Sequence, residues 1–131
     1  MANFQHQLDQ ALGLVRAYRD FTSALATWSK PLGLSADACL IIMLLRATDG
    51  PSNTELAASL SLNLATATKI IDRLVSDNLV HRKPHATDRR RIQIHLTADG
   101  RVAADKAAEI FGRFMQDGAL RDSAMDGAGI A

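Results

Sequence analysis

Phe4, Leu8, Leu12, Val15, Tyr18, Phe21, Leu25 and Trp28 recur every three or four residues, one stripe of a long helix that Pro31 and Gly33 end. The mean step of about 3.4 lies near the ~3.5 period that keeps a seam turned toward a partner helix, so packing between subunits is a reading open beside core packing within one subunit. Ser35 is the expected N-cap of a second helix from Ala36 to about Arg46, whose run Cys39 to Leu45 is apolar enough to be central. Asp49, Gly50 and Pro51 break the chain. Ser52 to Glu55 fits a capping box, in which Glu55 returns a bond to the cap backbone, and Leu56 and Leu60 form the inner face of a third helix. Ser61 to Asn63 is a tight turn with Asn63 capping a fourth helix, closed at Asn78, which tolerates the left-handed conformation. Two short apolar runs, Leu79-Val80 and Ile92, Ile94, Leu96, flank the polar turn His85 to Arg91 and predict a β-hairpin. Thr97 caps a fifth helix with Ala103, Ala107, Ile110, Phe111, Phe114 and Met115 on one face, ended by Asp117-Gly118.

Helix, tight turn, helix, then hairpin is the order of a winged helix-turn-helix. The predicted fold is mainly α with a small two- or three-stranded β-wing, flanked by N- and C-terminal dimerisation helices. One domain spans 1–131: about 35–97 form the winged lobe, and about 1–31 and 98–131 the dimerisation helices and tail. At about 100° per residue, Ala67, Ile70, Ile71 and Leu74 of the fourth helix point into the core. Ala65 and Lys69 are then central on the outer side, with Thr66 and Arg73 on one flank and Thr68 on the other.

With 131 residues, 47% of them hydrophobic and 22% charged, the chain can bury one core. Its net charge of +1 conceals an asymmetry: residues 66–102 hold 8 basic and 4 acidic groups, against 4 and 5 in residues 1–65 and 3 and 5 in residues 103–131. The positive charge therefore sits on the fourth helix and the wing, the footprint of a double-stranded DNA partner. Short side chains at the start of that helix, Ala65, Thr66 and Thr68, can approach base edges, with Ala65 and Thr66 the foremost candidate base readers, threonine offering both a hydroxyl and a methyl. Lys69 and Arg73 are better placed for phosphates, and Asp72 would repel phosphate unless paired, with Lys69 or Arg73 as candidates. Arg90 suits a narrow minor groove, with Asp88 orienting the arginines, Arg89 reaching a phosphate, and Arg91 either doing the same or only beginning the strand. Backbone N–H groups near Ser52 and Asn53, at the start of the third helix, are a further candidate phosphate contact.

The wing's Asp88 and Arg90, spaced Asp-x-Arg, and the Leu96-Thr97 followed by Gly100 resemble the MarR family of bacterial regulators, over about residues 32–115. The resemblance implies a homodimer whose recognition helices lie about 34 Å apart on a pseudo-palindromic operator, usually as a repressor. It also implies release by a small, often aromatic or phenolic effector between the dimer region and the DNA-binding lobe. Tyr18, Trp28 and Met43 fit such a pocket by type, but apolar residues at helical spacing are more often core, and none is assigned as a ligand residue. The family usually ends in a sixth helix, whereas Ala119 to Ala131 is weakly periodic and glycine-bearing.

No apolar run reaches the ~20 residues of a membrane span, and Met1 to Gln10 lacks a signal-peptide core, so a cytoplasmic protein with no membrane partner is expected. A single cysteine excludes an internal disulfide. No glycine-rich loop ending in lysine, no His-Glu-x-x-His and no zinc set around His81 and His85 is present, so neither enzyme activity, cofactor nor metal is expected. Two other readings are a thiol-based redox sensor through Cys39, in the first turns of a helix, and a winged helix that recognises protein.

Overall fold

The computed structural model describes residues 2–116. Helix α1 (Ala2–Ser29) passes through a 3-10 turn (Lys30–Leu32) into α2 (Ala36–Ala47), followed by α3 (Asn53–Ser59) and α4 (Leu64–Ser76). Strands β1 (Val80–Pro84) and β2 (Ile92–Leu96) form the wing, and α5 (Ala98–Gln116) follows. The Asp117-Gly118 stop and the question of a sixth helix lie outside the described residues.

Side chains close the helix starts where the sequence places caps. The Ser35, Ser52 and Asn63 oxygens accept from the backbone N–H of Ala38, Glu55 and Thr66, and Thr97 accepts from Gly100. Each satisfies an amide that has no partner inside its helix. The capping box departs from expectation: Glu55 accepts the Ser52 hydroxyl at 3.2 Å and a wing arginine, Arg91, at 3.1 Å. Charge outside the helix competes for that carboxylate. Asn78 takes the left-handed conformation (φ +60°) after α4.

β1 and β2 pair antiparallel from Val80↔Leu96 to Pro84↔Ile92, and they are the sole strands among the described residues. Where a third strand would lie, a single bond from the Ile94 N–H to the Pro51 carbonyl (2.9 Å) joins the wing to the loop before α3. β1 runs beyond the expected apolar pair through four exposed residues, because ladder bonding does not require apolar side chains on an edge.

The core is built around α2, whose Ala38, Cys39, Ile41, Ile42 and Leu45 are buried. Leu25 and Trp28 of α1, Leu56 of α3, Ile71 and Leu74 of α4, Val80 and Ile94 of the wing, and Ala104 and Ala107 of α5 close around it. Trp28 meets Phe111 with ring centroids 6.0 Å apart, tying α1 to α5. Met115, expected on the inner face of α5, is exposed, while Ala104 is fully buried there. Gly100 explains the close seating of α5: a Cβ at this position would lie 1.8 Å from the Leu79 carbonyl oxygen. That carbonyl also accepts from the Thr97 N–H at 3.0 Å, so helix start and strand root share one backbone contact.

Candidate nucleic-acid interface

The inward face of α4, Ala67, Ile71 and Leu74, is buried, which leaves Ala65, Thr66, Lys69, Asp72 and Arg73 exposed along its outer side. Thr68 stands apart from this row. It is half-buried against α3, 3.5 Å from the Asn53 amide nitrogen, so its hydroxyl faces the neighbouring helix. Asn53 is itself half-buried, and the Ser52 hydroxyl is occupied by capping, so at this end of α3 the side chains serve the fold.

Arg73 pairs with Asp77 one turn along the helix (Nε to Oδ2, 3.3 Å). The partner of Asp72 is neither Lys69 nor Arg73, the two candidates from the sequence. It is Arg82 of β1, a residue ten positions away that helix spacing could not nominate. Lys69 has no ion-pair partner among the described residues and is free to meet an anion.

At the wing tip Asp88 Oδ1 accepts from the Arg90 backbone N–H (3.1 Å) and from Arg90 Nε (3.3 Å), tethering the guanidinium at Nε while the side chain stays 93% exposed. The tip is shaped by His85, whose Nδ1 accepts from the backbone N–H of both Thr87 and Asp88 at 3.2 Å. This geometry requires Nδ1 unprotonated. Arg89 is exposed with no ion-pair partner among the described residues. Arg91 does both things the sequence left open: it precedes β2 directly, and its guanidinium reaches out to Glu55. Between the start of α3 and the wing lies a groove of about 410 Å³, lined by Ser52, Asn53, Thr54, Arg82, Arg90, Arg91 and Ile92. Arg82 and Glu55 are the participants that sequence reading missed. Position 82 in a strand carried no helical or motif signal.

A second, larger cavity of about 730 Å³ opens where α1, α2 and α5 meet, with Tyr18, Phe21, Leu40, Met43 and Phe111 in its walls. Tyr18 and Met43 thus line it, whereas Trp28 is buried against Phe111.

Cys39 is 0% exposed, and burial pushes its thiol up to about 11. The expected help from an early helical position is outweighed by loss of hydration of the thiolate. His81 and His95 face each other across the strands with stacked rings 5.7 Å apart, and among the described residues no three His, Cys, Asp or Glu side chains converge on a metal-sized site. No single helix among the described residues is long and apolar enough to cross a membrane.

A sequence model described as the MarR family matches residues 34–92. The HTH-type transcriptional repressor YetL of Bacillus subtilis is 40% identical over 76 residues, covering 56% of this chain and 46% of that protein. The multiple antibiotic resistance protein MarR of Escherichia coli is 28% identical over 83 residues, 63% of this chain and 58% of that protein. The chain thus spans about half the length of the curated relatives it matches. A cysteine-to-serine mutant of E. coli MarR solved with operator DNA superposes with a TM-score of 0.70 at 25% identity, over 79% of this chain and 74% of that one. BpsR of Bordetella bronchiseptica, solved in a study of how 6-hydroxynicotinic acid regulates its DNA binding, shares the fold at a TM-score of 0.70 and 23% identity, over 79% and 74%. The family model, the curated relatives and the superposed backbone all point the same way: over residues 34–92 the chain is similar to the MarR family.

Proposed function

We propose that the protein is a transcriptional regulator that binds double-stranded DNA as a homodimer and is released by a small effector. The observation that carries this reading is the outer side of α4, exposed at Ala65, Thr66, Lys69 and Arg73, beside a hairpin whose tip presents Arg89 and Arg90 to solvent. The helix enters the major groove: Ala65 and Thr66 approach base edges, and Lys69 and Arg73 neutralise phosphates. Arg90, held by Asp88, enters the adjacent minor groove, and Arg89 meets the backbone. Ser52 and Asn53 contribute backbone N–H groups beside the arginine-lined groove, their side chains being engaged elsewhere. Thr68 contributes through packing against Asn53 and is withdrawn from the set of base contacts. The E. coli relative solved with operator DNA and the repressor YetL support the same reading.

The dimer is supported by α1, whose Phe4, Leu8, Leu12, Val15 and Tyr18 are exposed although they share one stripe. An apolar face of this length is stable in water only when covered. The effector would enter the cavity between α1, α2 and α5. Its mixture of aromatic and aliphatic walls suits a small aromatic molecule, in keeping with the 6-hydroxynicotinic acid that regulates BpsR. Such a molecule would couple the dimer helices to the lobe. Repression follows the habit of the relatives, and Cys39 has no part in sensing.

The test is selection of duplexes from a randomised pool, followed by salt titration of the bound sequence. Phosphate neutralisation predicts affinity falling steeply and linearly with salt on logarithmic axes, and a recovered pseudo-palindrome would report two-fold symmetry. Recovery of no duplex above background overturns the reading and favours a protein partner for the winged lobe.

A further inference from the structure

Four arginines near the interface are each held by a carboxylate. Two of these pairs are local, Arg73 with Asp77 and Arg90 with Asp88. The other two cross between elements: Arg82 of β1 reaches Asp72 of α4, and Arg91, just before β2, reaches Glu55 of α3. The hairpin is therefore gripped from both helices of the helix-turn-helix.

Core packing does not do this job. Val80 and Ile94 bury the root of the wing, but Arg82, Lys83, Pro84, Arg91 and Ile92 are all exposed, so no buried side chain fixes the direction of the outer half. Arg82 lies opposite Ile94 in the register, on the strand face turned toward the lobe. Its guanidinium ends on the Asp72 carboxylate of α4. On the other side the Glu55 carboxylate is oriented by the Ser52 hydroxyl before it meets Arg91.

We propose that Glu55 and Asp72 are positioning residues for DNA recognition: by holding Arg91 and Arg82 they set the distance between the wing tip and α4, and so which duplexes can receive both together. The proposal rests on the DNA-binding reading. Its electrostatic sign makes it testable. A carboxylate beside a phosphate backbone opposes binding, so neutralising it would by charge alone tighten binding to every duplex. Positioning predicts the reverse for the preferred sequence, because a wing free to swing must be ordered on binding.

The experiment uses Glu55→Gln and Asp72→Asn, singly and together, in the full chain. Nitroxide labels on Ala86→Cys at the tip and Ser76→Cys at the end of α4, in labelled subunits diluted with an excess of unlabelled protein so that distances within one subunit are read, report the distance between wing and helix without DNA; buried Cys39 does not compete for the label. The expected result is one narrow distance distribution for the parent, broadened or displaced in the double variant. With a duplex selected from a randomised pool by the parent protein, the double variant should bind about tenfold more weakly. On a scrambled duplex of the same composition it should bind equally or more tightly. An unchanged distance distribution, or tighter binding to both duplexes, overturns the proposal while leaving DNA binding intact. If the parent selects no duplex, the DNA-binding reading falls and this proposal with it.

Discussion

In α2, Ile41, Ile42 and Leu45 are buried on every side, whereas in the first half of α1, Phe4, Leu8, Leu12, Val15 and Tyr18 keep an equally regular spacing and stand in solvent. The difference lies in what surrounds each helix. α2 is enclosed by the end of α1, by α4, by α5 and by the wing. α1 has 28 residues and is about 42 Å long, beyond the ~30 Å diameter of a small domain, so its first turns outrun the lobe that covers Leu25 and Trp28. Periodicity identifies a face that must be covered. It does not say by which chain.

That contrast can be broken most severely at Gly100. Adding one methyl group places a carbon 1.8 Å from the Leu79 carbonyl oxygen, so Gly100→Ala should cost about 3 kcal/mol or more, or prevent folding, as measured by urea unfolding. Parent-like stability would show that α5 is not seated as described. Ile71→Ala, in the self-contained lobe, should cost roughly 2–5 kcal/mol. Leu8→Glu with Leu12→Glu, on the uncovered stripe, should instead leave the lobe folded by circular dichroism and abolish self-association in sedimentation. A double variant that remains dimeric would assign the stripe another role.

Smaller effects sharpen the functional side. Arg90→Ala should weaken binding to a selected duplex on the order of tenfold, and Lys69→Ala should reduce the salt slope by about one while weakening all duplexes alike. Both sites are exposed, so neither change should alter stability by more than about 0.5 kcal/mol. The smallest effect concerns Cys39. Peroxide at neutral pH should leave duplex affinity unchanged. Because burial raises the folded thiol from 9.0 to about 11, its stabilising share is present below the unfolded value and is lost as pH rises from 9 through 11. Replacing Cys39 with alanine should flatten the stability profile in that window, and an equally steep profile would count against the assignment.

Much of the lobe was legible because its signals are local. A serine or asparagine before an apolar period caps a helix whatever the remainder of the chain does, and Ser35, Ser52 and Asn63 all do so. Asn78 could be placed in the left-handed region by the same reasoning. The polar row of α4 and the arginine cluster of the wing were visible as well, since a 3.6-residue period and a charge run need no tertiary information. Thr68 has the angle of a flank on the helix, and only the neighbouring α3 shows that its hydroxyl meets the Asn53 amide. Asp72 was given the wrong candidate partners because on a helix the nearest cations are three or four residues away, while the cation it meets comes from a strand.

Residue order alone was enough to lay down five helices, a hairpin, their caps and the concentration of positive charge on one stretch, since each arises from interactions among residues a few positions apart. Tertiary structure decided which half of α1 is covered, why position 100 admits no side chain, where the cavity opens, and which carboxylate holds which wing arginine. Those outcomes depend on atoms brought together from distant parts of the chain, and a linear pattern carries no distances.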